Sequence, residues 1–257
     1  MSRDHWVVQR LIDLKIGAIF LTRLPLSHGR PIEKGELSRA LWAAPVIGAV
    51  VGGLGAVIYG FAHSLHIPPL PAAALAIAVT ATATGCLHED GLADVADGFG
   101  GGATRERKLD IMRDSRIGTY GVCALLLSFL LRVGALASLA EPASVAAALI
   151  CAGAAARAGL PSFMVMVPPA RVDGMSATAG VPPPASAITA ALLGLVALLA
   201  AFGFATGVVA VVCLAAGLWF MAWLCRSQIN GQTGDVLGAL EQVGEITVLL
   251  IAAATVS

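Results

Sequence analysis

Carboxylates crowd one stretch of this chain. From Leu87 to Gly118 it reads LHEDGLADVADGFGGGATRERKLDIMRDSRIG, which holds seven of the sixteen acidic residues and five of the sixteen basic ones. On a helix, Asp90, Asp94 and Asp97 fall at i, i+4 and i+7 and share one face, and Asp110 and Asp114 repeat the i, i+4 spacing on a second helix. Five carboxylates can then converge. Like charges so spaced destabilise a helix and raise one another's pKa unless a positive charge stands between them, which a divalent cation would supply. Oxygen-only donors favour Mg²⁺ or Mn²⁺ over zinc, and Mg²⁺ commonly combines one or two protein carboxylates with substrate phosphates. The nearby Arg105, Arg107, Lys108, Arg113 and Arg116 suit phosphate oxygens, the arginines through their planar fork. The competing reading is weak surface pairing of these same cations with the acids. The glycines at 98, 100, 101 and 102 serve a turn or a close approach to a ligand, and no strand precedes them to make a dinucleotide fingerprint.

Other ionisable residues stand in apolar surroundings. Arg157 lies near the middle of an apolar segment, where an Arg costs about 2.5 to 3.5 kcal/mol to insert, so it must face the interior of a bundle. It serves either as a phosphate contact or as a partner for a buried acid. Arg132, in another apolar segment, reads as structural. Arg171 and Asp173 follow the Pro168-Pro169 break and border the site or form a polar turn. Asp235 caps the last helix or meets metal or nucleotide, and Glu241 and Glu245, one helical turn apart, must face inward. His88, beside the acids, is a supporting group or a plain hydrogen-bonding residue.

The elements that position these residues are membrane helices. Of 257 residues 58% are hydrophobic and 12% charged, against about 25% charged in a soluble domain, and the mean hydropathy is +0.85. Apolar segments run near 41 to 62, 70 to 87, 119 to 140, 144 to 167, 186 to 203, 206 to 224 and 236 to 256. Each is continuously apolar and rich in Ala, Leu and Gly, which favours helices over the alternating strands of a barrel. Residues 11 to 27, with Asp13, Lys15 and Arg23, are too short and too charged for a span. The expectation is an all-α, polytopic bundle of about seven transmembrane helices plus an N-terminal interfacial or re-entrant helix, forming one domain over 1–257. Gly48, Gly52, Gly53 and Gly55 would let helices approach closely.

Charge asymmetry gives orientation. Seven basic residues, from Arg3 through Lys34 to Arg39, precede the first span, and five more lie between the second and third, while the opposite connections carry none. The positive-inside rule then puts the acidic segment on the cytoplasmic side. Net charge is zero, which argues against bulk attraction to nucleic acid. The five cysteines show no paired spacing for a disulfide frame or zinc site, and no removable signal peptide is visible.

The strings FLTRLP (20 to 25), PVIGAVVG (45 to 52), HEDGLADVADGFGGG (88 to 102), RERKLDIMRDSRIGTYG (105 to 121) and TGDVLGA (233 to 239) resemble the cobalamin synthase family, in the family's order and across nearly the whole chain. The resemblance implies a Mg²⁺-dependent enzyme of the bacterial inner membrane. It would transfer the cobinamide-phosphate group of adenosylcobinamide-GDP to alpha-ribazole or its 5′-phosphate, with release of GMP. It places Glu89, Asp90, Asp94 and Asp97 in a first acidic cluster and Asp110 and Asp114 in a second. Substrate contacts are expected from Lys108, Arg113, Arg116, Arg157 and Arg171, and the further partners expected are membrane lipid, a second copy of the chain and neighbouring pathway enzymes, with no nucleic acid. The pattern also looks like the signature of CDP-alcohol phosphotransferases, without its Ala-Arg pair and with a shorter gap. By that likeness Asp94, Asp97 and Asp110 would hold metal and Asp114 would accept the proton of the attacking hydroxyl. A lipid-headgroup phosphotransferase is the alternative function and a transporter a more distant one, since its ionisable residues would lie at the midplane.

Overall fold

A computed structural model describes residues 3–33 and 35–255; Lys34, counted above among the basic residues, lies outside them. The first helix, α1 (Arg3–Leu21), starts earlier and stops sooner than the segment 11 to 27 read from charge. It ends where the Thr22 hydroxyl turns back to donate to the Ala18 carbonyl, 2.6 Å away. Trp6, Val8 and Leu11 remain exposed along α1, which suits a helix lying in a membrane interface. Its anchor is Asp13, fully buried, which accepts from Arg39 Nε at 3.0 Å and from Trp42 Nε1 at 3.1 Å. These donors sit on and just after α2 (Glu36–Ala40).

The long apolar helices follow. Of the helices after α2, α3 (Ala44–Ser64), α4 (Pro69–Thr84) and α7 (Thr119–Leu139) are apolar, whereas α5 (Leu87–Gly101) and the short α6 (Arg105–Ile111) are polar. Then come α8 (Pro142–Ala158), α9 (Leu160–Met166), α10 (Met175–Ala179), α11 (Pro184–Ile229) and α12 (Gly234–Ala254). Prolines open α4, α8 and α11, where the missing N–H is an orphan in any case. Gly85 and Asn230, both left-handed, close α4 and α11. Helices are the regular structure throughout; Pro169 and Gln232 form one isolated bridge among the described residues.

The all-helical membrane architecture agrees with the composition, while length and apolarity alone do not reach the seven spans expected. Five helical stretches are long and apolar enough to cross a bilayer, or six if α4 and α5, bent by 89°, are taken as one broken span. The difference arises first at α11, whose 46 residues are continuous except at Gly203 (φ 70°, ψ −176°). There the chain reverses, so that a Cβ on Gly207 would lie 3.4 Å from the Cα of Leu199, a contact that no straight helix allows. The two arms occupy the two segments read as 186 to 203 and 206 to 224. The stretch 87 to 118 is also not a loop: α5 packs against α12 and α7, and α6 lies against it.

Two large apolar clusters hold the bundle together, with smaller ones around Leu21 and Ile47 and around Leu41 and Met164. One joins α3, α4, α7, α8, α11 and α12 through Tyr59, Ile77, Leu136, Leu149, Leu198 and Leu249. The second joins the polar helices to the bundle through Val95, Leu109, Met112, Phe163, Ile229 and Val236. The tightest helix pair is α3 with α8. A Cβ on Gly48 would lie 2.0 Å from the Gly153 carbonyl oxygen, and one on Gly52 would lie 2.2 Å from that of Leu149. Gly55 likewise faces Thr80, whereas Gly53 meets open space. Small residues at this seam let backbone touch backbone, the usual route to tight packing where lipid removes the hydrophobic drive. Gly48→Leu should therefore lower the melting temperature of the protein in lipid nanodiscs by forcing α3 and α8 apart, with overpacking costing about 1–3 kcal/mol or more. Gly53→Leu, facing no neighbour within 4 Å, should leave the melt unchanged.

Candidate active site

The fifteen residues of α5 carry four carboxylates, and the structure sends them to three destinations. Glu89 turns into the bundle, where it accepts from Arg132 Nη1 at 3.0 Å; both side chains are buried. Around them stand Glu245, 3.5 Å from Arg132, and Gln242, whose amide donates to Glu89 at 3.4 Å. Arg157 continues the network at 2.6 Å from Glu241, and its Nη2 reaches His88 Nδ1 at 3.4 Å. Arg132, Arg157, Glu241 and Glu245 thus face inward and pair in charge, as their cost in lipid requires, while Glu89 Oε2, Arg132 Nε and Nη2 and Arg157 Nε are left without a hydrogen-bond partner among the described residues. Glu89 belongs to this network and not to the acidic face; Arg157 is likewise an internal partner here.

Asp97 goes to the start of α7. Its Oδ2 accepts the Gly118 N–H at 2.7 Å and its Oδ1 accepts the Gly121 N–H at 2.9 Å. The N-cap residue of α7 is Gly118, which has no side chain to cap with, so a carboxylate from α5 takes that task and also complements the helix dipole. A Cβ on either glycine would come within 2.5 Å of the carboxylate oxygens.

Asp90 and Asp94 remain, on the open part of the same face. Asp90 is exposed and Asp94 half-buried. They meet Asp235 from the first turn of α12, whose backbone packs directly on Gly91. Thr233, not Asp235, caps that helix by accepting the Val236 N–H at 3.3 Å. Asp235 instead accepts the Thr233 hydroxyl at 3.0 Å and lies 3.5 Å from Arg171. Asp94 lies on the polar arm outside the apolar spans. Its burial, then the charges of Asp90, Asp235 and Asp97, push its pKa up to about 7, with Arg171 pulling the other way. The shared face read from the spacing of Asp90, Asp94 and Asp97 is therefore present. The fourth carboxylate, Asp235, comes from 138 residues beyond Asp97, and only its place before an apolar helix hinted at it.

The second acidic pair is not brought in. Asp110 is exposed on α6, while Asp114 lies beyond the helix end, so the two do not share a helix face. Asp114 accepts from Arg116 Nη2 at 2.6 Å and Nε at 3.2 Å on one oxygen, and its other oxygen accepts from the Arg116 backbone N–H at 3.1 Å. Those bonds hold its pKa down to about 2. Arg113 is paired with Asp173 at 2.6 Å, and Lys108 donates to Gln228. Arg105 donates to the Ile229 carbonyl at 3.0 Å and to that of Ala170, which ties α6 to the end of α11. Of the cations expected to bind substrate, Arg171 alone is paired directly with the acidic cluster among the described residues.

The donor set fits a hard divalent cation in one binding mode. It offers only oxygen, and the crowding that raises Asp94 is what a cation would relieve. Among the described residues no three His, Cys, Asp or Glu side chains gather closely enough to form a complete protein cage. Mg²⁺ needs no such cage, since it retains waters and shares phosphate oxygens beside one or two carboxylates. Asp90 and Asp94 with Asp235 suit that arrangement.

Comparison with known proteins gives a concordant picture. The family model described as cobalamin-5-phosphate synthase matches residues 13–253. An adenosylcobinamide-GDP ribazoletransferase of Bradyrhizobium diazoefficiens is 54% identical, over 95% of this chain and 94% of the relative. Proteins of the same description from Mesorhizobium japonicum and Azorhizobium caulinodans are 51% and 44% identical, over 97% and 93% of this chain and 95% and 94% of their own. No solved structure matches.

The raised Asp94 pKa fixes a pH signature. A carboxyl whose folded value exceeds its unfolded one binds the extra proton in the folded state, so stability falls as pH rises from about 4 to about 7. Metal-free protein in lipid should lose thermal stability across that window, Asp94→Asn should flatten the loss, and Mg²⁺ should restore stability at the alkaline end. A melting temperature that does not vary with pH in metal-free protein would contradict the crowding. Breaking the other end of α5 is the harsher change: Arg132→Met leaves Glu89 and Glu245 uncompensated and should destabilise by about 3–5 kcal/mol. Replacing Arg132 and Glu89 together should recover part of that loss in the same denaturation assay.

Proposed function

The chain belongs to the cobalamin-5-phosphate synthase family, and on that premise we propose that it joins alpha-ribazole or its 5′-phosphate to the cobinamide-phosphate group of adenosylcobinamide-GDP, with release of GMP. The observation that carries this reading is a carboxylate cluster of Asp90, Asp94 and Asp235 with Arg171 beside it, in a chain matched by the family over nearly its whole length. In the reaction a ribose hydroxyl attacks the corrinoid-bearing phosphorus and the bond to the GMP oxygen breaks. The proton leaves with a base, and the product is adenosylcobalamin or its 5′-phosphate.

Asp90 and Asp94, with Asp235, would hold Mg²⁺, which when bound there would neutralise charge on the phosphate oxygens and on departing GMP. Arg171 is placed to orient a non-bridging phosphate oxygen, since its Nε and Nη1 are buried without a protein partner. Arg113 and Arg116, exposed on the segment after α6, would take the phosphate that departs with GMP, together with Lys108 of α6. Asp114 is proposed as the acceptor of the hydroxyl proton. Paired with Arg116 it is too weak a base; transfer of Arg116 to a substrate phosphate would free the carboxylate and raise its pKa. Binding the diphosphate and arming the base would thus be one event.

The basic residues before α3 and around α6 support placement of this site on the cytoplasmic side of a bacterial inner membrane. The acidic face occupies the same end of α12 as Thr233 and Asp235, which the charge pattern assigns to that side. Membrane lipid is the surrounding partner, and a second copy of the chain or other enzymes of the same route would adjoin it.

Purified protein in lipid, given adenosylcobinamide-GDP and alpha-ribazole, should form the corrinoid nucleotide with Mg²⁺ and stop when the metal is chelated. Asp94→Ala should lose at least about a hundredfold in rate, and Asp114→Ala a similar amount, within the range for a removed general base. Asp110→Ala, exposed on α6, should retain most of the activity. Well-folded protein that makes no product from authentic substrates with any divalent metal would overturn the assignment.

A further inference from the structure

A small cleft adjoins the carboxylate cluster. Leu41, Leu87, Leu160, Met164 and Leu237 line it, its volume is ≈ 110 Å³, and Asp90 and Asp235 stand on its wall. The lining comes from α1, α2, the segment between α2 and α3, α5, α9, α10 and α12, so the cleft closes only when these elements meet. A pocket of this size seats one flat ring system and not a macrocycle. Its apolar wall rejects a charged group, which would lose its hydration there without return.

Besides the two acids, two polar side chains break that wall: Ser176, whose hydroxyl is committed to Gln232 at 2.8 Å, and His88. His88 lines the cleft, is 3% exposed, and its Nε2 has no hydrogen-bond partner. The other ring nitrogen is committed. Arg157 Nη2, 3.4 Å from Nδ1, can only donate, while Glu241 Oε2 stands farther off at 3.8 Å, so the nearer contact makes Nδ1 the acceptor and leaves the hydrogen on Nε2. His88 therefore brings one unpartnered ring nitrogen to the wall of a largely apolar slot that also carries Asp90 and Asp235.

We propose that this cleft binds the base of the attacking nucleoside, an uncharged fused heteroaromatic ring, with His88 Nε2–H donating to the ring nitrogen that does not bear the sugar. The assignment rests on the transfer reading above and deepens it by separating the two substrates. A base seated between Leu41 and Leu237 leaves its sugar beside Asp90 and Asp235, next to the cluster that would hold the metal. A benzimidazole has the required character: apolar edges, one acceptor nitrogen and no charge. A purine base would bring further polar ring atoms against Leu160 and Met164, where no donor or acceptor awaits them, and each left unpaired costs about 1–3 kcal/mol. Selection for a carbon-rich base follows from that lining. The larger apolar groove of ≈ 430 Å³ among α8, α11 and α12 offers no orphaned polar atom and adjoins none of the acids.

The test measures nucleoside binding separately from turnover. Alpha-ribazole binding to wild-type protein in nanodiscs is followed by equilibrium dialysis, and KM is determined for each substrate. Ala179→Phe, which fills the cleft, should raise the dissociation constant and the KM for alpha-ribazole about tenfold or more, with the KM for adenosylcobinamide-GDP unchanged. His88→Leu should weaken alpha-ribazole binding about tenfold, and His88→Gln, which keeps an N–H, should recover most of it. With an indole riboside, whose acceptor nitrogen is replaced by C–H, His88→Leu should bind no worse than wild type. That ligand comparison decides the matter even if Ala179→Phe does not fold. Unchanged alpha-ribazole affinity in His88→Leu, or an equal loss with both ribosides, overturns the subsite while wild-type product formation keeps the transfer reading intact. Wild-type protein that binds alpha-ribazole with the expected His88 dependence but forms no product overturns the transfer reading and supports the subsite.

Discussion

The ion pair between Arg132 and Glu89 is the interaction on which the rest of this structure depends. An acidic helix has no place inside an apolar bundle, yet α5 packs along α7 and α12 and buries His88, Glu89 and Asp97. It can do so because its inward carboxylate meets a guanidinium that is itself unaffordable alone in lipid. Glu245 and Gln242 complete the contact, and Arg157 with Glu241 forms a second pair one turn away. Desolvating such pairs brings little net stability. What they supply is position, since each charge is stable only where its partner is.

The same logic explains why four carboxylates on one short helix behave so differently. The two ends of the acidic row are consumed in holding the helix, Glu89 by Arg132 and Asp97 by the amide groups at the start of α7. Asp90 and Asp94, between them, are left without cationic partners on their own helix and are pressed toward Asp235. Electrostatic strain is thereby concentrated at one place, where only Arg171 offsets it. A cluster held this way keeps its charges crowded, because neither the helix nor α12 can relax to separate them, and on the proposed reading that crowding pre-organises it for a cation and a phosphate. Its apolar neighbour, the cleft at His88, has Asp90 and Asp235 on its wall, so the same few side chains would set metal, sugar and base positions.

Local pattern revealed part of this and tertiary pairing the rest. The shared face of Asp90, Asp94 and Asp97 follows from helical periodicity, and the inward orientation of Arg132, Arg157, Glu241 and Glu245 follows from what charge costs in lipid. Partner choice does not follow from either. Nothing near Glu89 in sequence marks Arg132, 43 residues away, as its counterion. The role of Asp97 was hidden because it compensates for a side chain that Gly118 lacks, so the signal was an absence at another position. Asp110 and Asp114 have the right spacing for one helix face, but α6 ends at Ile111 and the turn that follows sends Asp114 to Arg116. The apolar segments on either side of Gly203 were legible as two, since so long an apolar run exceeds the roughly 20 residues that one span needs, and the backbone breaks at Gly203.

The contribution of α12 bears on how the protein is made. Asp235, Gln242, Glu241 and Glu245 all lie on that helix, and it emerges from the ribosome long after α5, α7 and α8. Until it arrives, Arg157 lacks its acidic partner, Arg132 has only Glu89, and the first acidic row has no opposite wall. The core's charges and the acidic face therefore both wait for the last helix to be made, and the fold and the candidate site are completed by the same segment of chain.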